Sequence, residues 1–333
     1  MRVPASIAAL AVIALLTVWT MLAGGTHSAY TALSTTPSSS FAAAADWTSP
    51  TIGSSAIGRT TAYDTGVIKP SGTYYVYANV TDTGNPPGGT ASVRANVSGI
   101  TSGQTALALT AGSFSAGGAT FNYRSAAITA GASLSAGTHS YTITATDTAT
   151  NAGTQSFSVT GDSTTPGGSD VQSTNVSGGT VGKLELGDTF TLTYSEVMDP
   201  YSVLSGWTGS ATTGVQVKLV DGGGASDSLQ IWTASGSAQV PLGTVTLGST
   251  NYVKTGTGSS VVYGGTGAST QSTMTRNGAS ITLTLGSIAS GTPSTSSTSV
   301  AMTWTPSATA TDIAGNAART TTATQSGTVH VNF

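Results

Sequence analysis

From residue 46 onward, the chain is a series of short segments in which apolar and polar side chains alternate, separated by clusters of Gly, Pro, Asn, Asp and Ser. In the segment 73–82, every second residue from Tyr74 to Val80 is apolar, and the segment 188–196 alternates in the same way. Successive side chains of a strand point to opposite faces, so this period of two places one face in a core and the other in solvent. No helical period interrupts the pattern, and the sequence therefore predicts an all-β fold.

The strand segments fall into two groups. Residues 46–160 contain about seven short strands bounded by turn residues, which is the pattern of an immunoglobulin-like β-sandwich. Residues 161–170, GDSTTPGGSD, consist of turn formers and predict a linker. Residues 171–333 contain a second set of strands, which closes with a predicted strand over 327–333. We therefore expect two tandem immunoglobulin-like β-sandwich domains.

The N-terminal segment predicts export. Arg2 precedes an uncharged, largely apolar run over residues 7–23, and small residues follow it. This pattern is that of a signal peptide over residues 1–25, or of an uncleaved hydrophobic helix that anchors the chain in a membrane. Residues 26–45 are rich in Ser, Thr and Ala and are expected to form a linker. Both alternatives place the remaining chain outside the cell or at its surface, with membrane contact only through residues 7–23 if they are retained.

Composition excludes several classes of site. The chain has no cysteine, which removes disulfide scaffolds, cysteine nucleophiles, and zinc or iron–sulfur sites held by thiolates. Its 10 Lys and Arg residues against 13 Asp and Glu residues leave a net charge of −3, which gives no electrostatic basis for binding nucleic acid. Three His residues offer little for acid–base chemistry. We expect no catalysis, no cofactor and no nucleic-acid partner.

An internal repeat lies near the end of each domain. The first domain has ATDTATNA at 145–152 and the second has ATDIAGNA at 310–317, with six of eight positions identical. An Asp in such a hairpin accepts backbone N–H bonds, and a residue with positive φ follows it. The first copy has Thr150 where the second has Gly, so we expect Asn151 to adopt the left-handed conformation. The repeat indicates two related domains with the same tight hairpin.

The repeat and a glycine-rich loop also supply candidate calcium ligands. These candidates are Asp147, Asn151, Asp312, Asn316, Asp221 and Asp227. Asp162 and Asp170 flank the linker and could hold a cation between the domains. Ca²⁺ takes about six to eight oxygen ligands, and each pair of these residues supplies too few side-chain oxygens. Turn formation is therefore the preferred interpretation.

Four aromatic side chains have specific expected roles. Tyr75 and Tyr77 point the same way from the polar face of one strand, which makes them candidates for stacking on a sugar or protein ligand. Cross-strand packing of their rings is the alternative. We expect Tyr141 to form a tyrosine corner, with its hydroxyl bonded to the backbone, and Trp47 to dock the linker onto the first sandwich.

Two acidic residues in the second domain raise the question of hydrolysis. Glu196 and Asp199 form a close carboxylate pair, and a glycoside hydrolase needs two facing carboxylates. A spacing of three residues at a strand end, with Pro200 next, fits a turn better than a catalytic pair. A secreted glycoside hydrolase therefore remains an alternative that the pattern does not favour.

Three stretches of sequence resemble known surface proteins. The segment GTHSYTITATD at 137–147, with the Asp-x-Ala-Gly-Asn run of the second domain, resembles bacterial immunoglobulin-like repeats of exported surface proteins. The segment TVGKLELGDTFTLTYSEVMDPYSVLSGWTG at 180–209 is similar to the immunoglobulin-like domains of S-layer proteins, whose run ending in Met-Asp-Pro matches residues 196–200. Residues 24–47 resemble the leader junction of camelysin-like and biofilm-fibre subunits. The resemblance implies β-sandwich spacers or adhesive modules at a cell surface, and it carries over no catalytic residue.

Together these observations predict a non-enzymatic, exported structural or adhesive protein of the bacterial cell surface. Its expected partners are cell-wall polymers, host or matrix polymers, or further copies of itself. A carbohydrate-binding module is the alternative from another functional class, and it would present exposed aromatic side chains to its ligand.

Overall fold

Strands form nearly all of the regular structure, in two sheets, which confirms the predicted all-β class of sandwich domains. The structure is a computed structural model, and it describes residues 46–83, 89–209, 212–254, 259–327, 329 and 331–333. The predicted N-terminal hydrophobic helix and the linker that follows it lie outside the described residues. None of the helical segments in the described part of the chain has the length and apolar character needed to cross a membrane.

The first sheet belongs to the first domain. Its strands are β1 (Thr51–Arg59), β2 (Val67–Ile68), β3 (Thr73–Thr81), β4 (Thr90–Asn96), β5 (Leu107–Ala116), β6 (Ala119–Ser125), β7 (Ile128–Thr129), β8 (Gly137–Asp147) and β9 (Ala152–Gly161). They pair in the order β1-β3-β6-β5-β4-β8-β9-β2, with β7 also on β3. Every pair is antiparallel except β2 with β9.

The second sheet belongs to the second domain. Its strands are β10 (Gly168–Thr174), β11 (Thr189–Tyr194), β12 (Thr213–Val220), β13 (Ser228–Thr233), β14 (Gln239–Thr246), β15 (Ser260–Tyr263), β16 (Ser272–Asn277), β17 (Ser280–Thr284), β18 (Ile288–Ser290), β19 (Thr303–Thr305) and β20 (Ala323–Thr324). The main path is β10-β11-β17-β16-β12-β13-β14-β19-β20, and β15 joins β12 to β18. One short helix, α1 (Pro200–Val203), follows β11.

Each domain has a core of its own, built by the alternation that the sequence shows. On β3, Tyr74 and Val76 are fully buried, and on β11 Phe190 and Leu192 are fully buried, as predicted. The two hydrophobic clusters share no residue. Burial of one face of each strand therefore stabilises two separate sandwiches, since apolar burial contributes about 25 cal/mol per Å².

The linker between the domains is shorter than the sequence indicates. Strand β9 continues to Gly161 and β10 begins at Gly168, so that only residues 162–167 connect the two sheets. Asp170 lies on β10, where its carboxylate accepts hydrogen bonds from the Ser326 amide at 2.9 Å and hydroxyl at 3.0 Å. This carboxylate ties β10 to the segment after β20, so Asp170 serves the second sheet.

The repeated hairpin forms in both domains, with one correction. The Asp147 carboxylate accepts the Asn151 amide at 2.8 Å, as the Asx turn predicts. The residue with positive φ is Thr150, at 74°, and Asn151 is not among the positive-φ residues, so that expectation was wrong. Gly315 holds the equivalent position in the second domain, with φ of 95°. The hairpin fixes the backbone at that position whatever residue occupies it, and a β-branched residue there is strained.

Three further expectations need correction. Trp47 does not dock onto the sandwich, since it is 80% exposed. The neighbouring Asp46 holds the start of the first domain instead, because its backbone carbonyl accepts a hydrogen bond from the Asn151 side chain at 3.1 Å. The Tyr141 hydroxyl bonds to the Ser55 hydroxyl at 3.0 Å and not to the backbone. Among the described residues of 327–333 there is no strand. That segment is nevertheless held in place, because the buried Asn332 side chain donates to the Val300 carbonyl at 2.9 Å.

Candidate functional site at the domain junction

The two sandwiches meet where the β1–β2 loop of the first domain faces α1 and the 312–316 hairpin of the second. Both sandwiches belong to one compact unit of the chain. These contacts join residues that lie 136 or more positions apart in sequence. The junction is therefore a product of the tertiary structure, and it contains two of the three salt bridges among the described residues.

Asp199 is the centre of this junction. It is the N-cap of α1, with Pro200 in the first turn, and its carboxylate accepts the Tyr201 amide at 3.2 Å. The same oxygen accepts the Tyr63 amide of the first domain at 3.1 Å. Its other oxygen accepts from the Arg59 guanidinium at 2.6 Å. One carboxylate thus holds a helix start and two groups of the other domain.

The environment of Asp199 is almost dry. Its side chain is 1% exposed and that of Arg59 is 14% exposed. Burial raises the pKa of Asp199, and the Tyr63 amide and the Arg59 guanidinium offset only part of that rise. A buried charge without partners would be very unfavourable, so these hydrogen bonds are needed for the carboxylate to remain ionised.

Other cations reinforce the contact from its edges. The Arg276 guanidinium of the second domain pairs with Asp64 of the first at 2.6 Å. The Lys69 ammonium donates to the Gly315 carbonyl at 2.6 Å. In the same hairpin, the Arg59 Nε donates to the Ile313 carbonyl at 3.1 Å. The first domain therefore binds the backbone of the repeated hairpin through two cations.

Three acidic side chains meet beside this contact. Asp162, Glu196 and Asp312 each present a carboxylate oxygen, and these oxygens lie within 4.8 Å of one another. They line a cleft of about 350 Å³ that Val67 of the first domain also borders. Burial, followed by the charges of Asp162 and Asp312, raises the pKa of Glu196. We call this group the junction triad.

A matching group lies at the entrance of the first domain. Asp46, Asp82 and Asp147 also bring carboxylate oxygens within 4.8 Å of one another. In both domains the side-chain amide of the hairpin Asn donates to the carboxylate of the hairpin Asp. It also donates to a backbone carbonyl of the chain that enters the domain, which is that of Asp46 for Asn151, at 3.1 Å, and that of Asp162 for Asn316, at 3.4 Å. We call this group the entrance triad.

The triads extend the calcium candidates of the sequence. Each brings three carboxylates together, whereas the sequence indicated one Asp and one Asn per hairpin. Carboxylate and carbonyl oxygens are the ligands that Ca²⁺ prefers, so either triad has the donor type for a divalent cation. The sequence analysis missed three members of the triads, because they are distant in sequence from the hairpin Asp: Asp46, Asp82 and Glu196. The signal that could have been used was an acidic residue just before the first strand of each domain.

Replacing Glu196 with Gln is expected to raise the free energy of unfolding at pH 7 by about 0.2–1 kcal/mol in buffer that contains a chelator. Folding raises the pKa of Glu196, so protonation of this side chain stabilises the folded protein. This stabilisation is complete at pH values below the pKa of the unfolded state, and it is lost as the pH rises through the pKa of the folded state. Urea denaturation at neutral and mildly acidic pH measures this, and the wild type should gain more stability on acidification than the variant.

Glu185→Gln is the matched control for this substitution. The pKa of Glu185 is lowered, first by its bond to Lys183, so the control should lose stability at neutral pH or leave it unchanged. A loss of stability in Glu196→Gln under chelating conditions would contradict repulsion within the junction triad. Repeating both measurements with added Ca²⁺ distinguishes repulsion from ligation, because a bound cation would make the wild type the more stable protein.

The glycine-rich loop places its two acidic residues in turn-forming roles. Asp227 is fully buried and accepts the amides of Tyr252 at 2.9 Å and Val253 at 3.1 Å. Asp221 accepts the Gly223 amide at 2.7 Å within the loop. Asp221 thus shapes the connection between β12 and β13, and Asp227 ties that connection to the segment after β14.

The tyrosine pair on β3 lies against other aromatic and basic side chains. The Arg124 guanidinium sits 4.3 Å from the centre of the Tyr75 ring. Tyr77 is 5% exposed, and its ring centre lies 5.5 Å from that of Phe121. The structure thus places both rings in cross-strand contacts on the outer face of the sheet.

The carboxylates of the hydrolase alternative belong to two different networks. Glu196 lies in the junction triad, whereas Asp199 holds the helix and the two groups of the first domain. Comparison with protein-family models and with curated proteins gave no match to this chain.

Proposed function

We propose that the protein is a non-enzymatic, exported component of the bacterial cell surface with a structural and adhesive role. The observation that carries this proposal is the fixed junction, in which Asp199 bonds both domains at once. A junction of this kind turns two sandwiches into one stiff spacer. A spacer of that form suits a protein that has to project a binding surface away from a cell.

The chemistry of the carboxylates supports a role without catalysis. The two carboxyl groups of a glycosidase face one another across the substrate with oxygens free to react, about 5–5.5 Å apart in retaining enzymes and about 6.5–9.5 Å apart in inverting enzymes. The Asp199 oxygens are already occupied by Arg59 and by the amides of Tyr63 and Tyr201. This carboxylate therefore acts as a structural acceptor in our proposal.

Surface location is the test of the proposal. Intact cells that produce the protein are treated with a protease, fractionated, and probed with an antibody against the two domains, with a cytoplasmic protein as the control. We expect the protein to be digested while the control is protected, and N-terminal sequencing of the untreated protein to show whether residues 1–25 are removed. Protection of the protein together with the cytoplasmic control would overturn the proposal.

A further inference from the structure

We infer that a cleft at the domain junction binds a neutral saccharide. The cleft, called here the tyrosine cleft, is lined by Ala62 and Tyr63 of the first domain, residues 115–118 at the tip of the β5–β6 hairpin, and Tyr201 of the second domain. Its volume is about 170 Å³. The inference supplies a partner for the adhesive role proposed above and rests on that role for its cellular setting.

The two tyrosine rings form the wall of the cleft. Their centres lie 5.4 Å apart and their planes are inclined by 45°, so the two rings touch each other in a tilted contact. Tyr201 is 41% exposed, although large aromatic side chains usually bury most of their area. An open aromatic face with a hydroxyl at its rim suits a sugar ring, whose C–H face is apolar and whose edge carries hydroxyl groups.

The charges around the cleft decide the class of ligand. No lining residue is charged. Of the nearby cations, Arg59 is paired with Asp199 at 2.6 Å, and Arg276 is paired with Asp64 at 2.6 Å. An anionic ligand would therefore find no free cation among the lining residues, and a cationic ligand would find no carboxylate there. Tyrosine and Ser115 hydroxyls are the side-chain groups available for hydrogen bonds, and they match a neutral polyhydroxyl compound.

The size of the cleft limits what enters it. Sites for drug-sized ligands usually measure about 300–1,000 Å³, and 170 Å³ is well below that range. The space therefore suits one ring of a saccharide, as an end residue or an exposed unit of a polymer. A proline-rich peptide also prefers aromatic grooves, but it docks along an extended groove of several residues.

The tyrosine cleft is formed before any ligand arrives. The Asp199 carboxylate accepts the amides of Tyr63 at 3.1 Å and Tyr201 at 3.2 Å, which fixes the backbone beneath both rings. The Gly117 amide donates to the Tyr63 carbonyl at 2.9 Å. A side chain at Gly118 would place its Cβ 2.9 Å from the Tyr63 hydroxyl, so glycine lets the hairpin tip reach the ring. A site held in this way loses little conformational entropy on binding.

The test is affinity electrophoresis of the full-length protein through gels that contain mannan, galactan, xylan or β-glucan, with circular dichroism to confirm folding. We expect at least one of these neutral polysaccharides to retard the wild type, and Tyr201→Ala to weaken that binding by about tenfold, because a stacked aromatic contributes on that scale. Tyr201→Phe keeps the ring and should retain most of the binding. Trp47→Ala removes an exposed aromatic side chain outside the cleft and should leave binding unchanged.

Three results would overturn the inference: no polysaccharide retards the wild type, Tyr201→Ala and Tyr63→Ala bind as the wild type does, or a proline-rich peptide binds in a Tyr201-dependent manner while the glycans do not. These outcomes leave the surface-protein proposal standing, since cell fractionation tests that separately. Conversely, an internal location would not alter the binding measured with purified protein.

Discussion

Replacing Asp199 with alanine is expected to lower the free energy of unfolding by about 3–5 kcal/mol, because it removes one partner of a buried ion pair and leaves the other charge unpaired. The Arg59 guanidinium is only 14% exposed, so water cannot fully replace the lost carboxylate. The amides of Tyr63 and Tyr201 lose the same acceptor. The substitution should therefore destabilise α1 and the contact between the domains together.

Calorimetry separates these two effects. If the junction couples the domains, the wild type should unfold in one transition, and Asp199→Ala should divide it into two, because each domain has a core of its own. Asp221→Ala is the control: that carboxylate accepts the Gly223 amide of its own loop, and its loss should have a much smaller effect. A change below about 0.5 kcal/mol for Asp199→Ala, which is typical of a neutral surface position, would show that the junction is not held by this residue.

Trp304→Ala is expected to cost about 3–5 kcal/mol of the free energy of unfolding, the usual range for truncating a large buried aromatic residue. Trp304 is fully buried on β19, and its indole N–H donates to the Leu242 carbonyl at 2.7 Å. Its ring meets the Tyr194 ring edge to face, with centres 4.7 Å apart. The substitution would leave a cavity and an unpaired carbonyl in the core of the second domain.

Trp47→Ala provides the matched comparison, because it removes the same side chain from a position that is 80% exposed. Its effect should stay within about 0.5 kcal/mol. Urea denaturation followed by circular dichroism measures both variants without relying on tryptophan fluorescence. Equal effects of the two substitutions would mean that burial does not determine the contribution of these residues.

Local patterning was enough to predict the strands and the faces that they bury. The alternation on β3 and β11 identified Tyr74, Val76, Phe190 and Leu192 as core residues, and all four are fully buried. Strand alternation is a property of neighbouring residues, which is why a single sequence reveals it. The same pattern left cross-strand packing of Tyr77 as one of two interpretations, and it did not identify Phe121 as the partner, because that residue lies on another strand.

Predictions that assigned a conformation to one residue or one segment from local preference succeeded less often. The repeated hairpin was recognised from its Asp and Asn, yet its left-handed residue was assigned to Asn151 instead of Thr150. The closing segment alternates like a strand, but its buried Asn332 donates to the Val300 carbonyl, and no strand forms there among the described residues. Local preference gave way in each case to the backbone geometry that the surrounding structure imposes.

The sequence by itself determined the all-β class, the two successive groups of strands and the repeated Asx hairpin, because each of these depends on residues that are near one another in the chain. Only the tertiary structure decided that Asp199 joins the domains, that three carboxylates gather at each hairpin, and that Tyr63 and Tyr201 share a cleft. Tyr63 and Asp199 are 136 positions apart. No local pattern encodes such a pairing, since it is set by how two finished sandwiches pack.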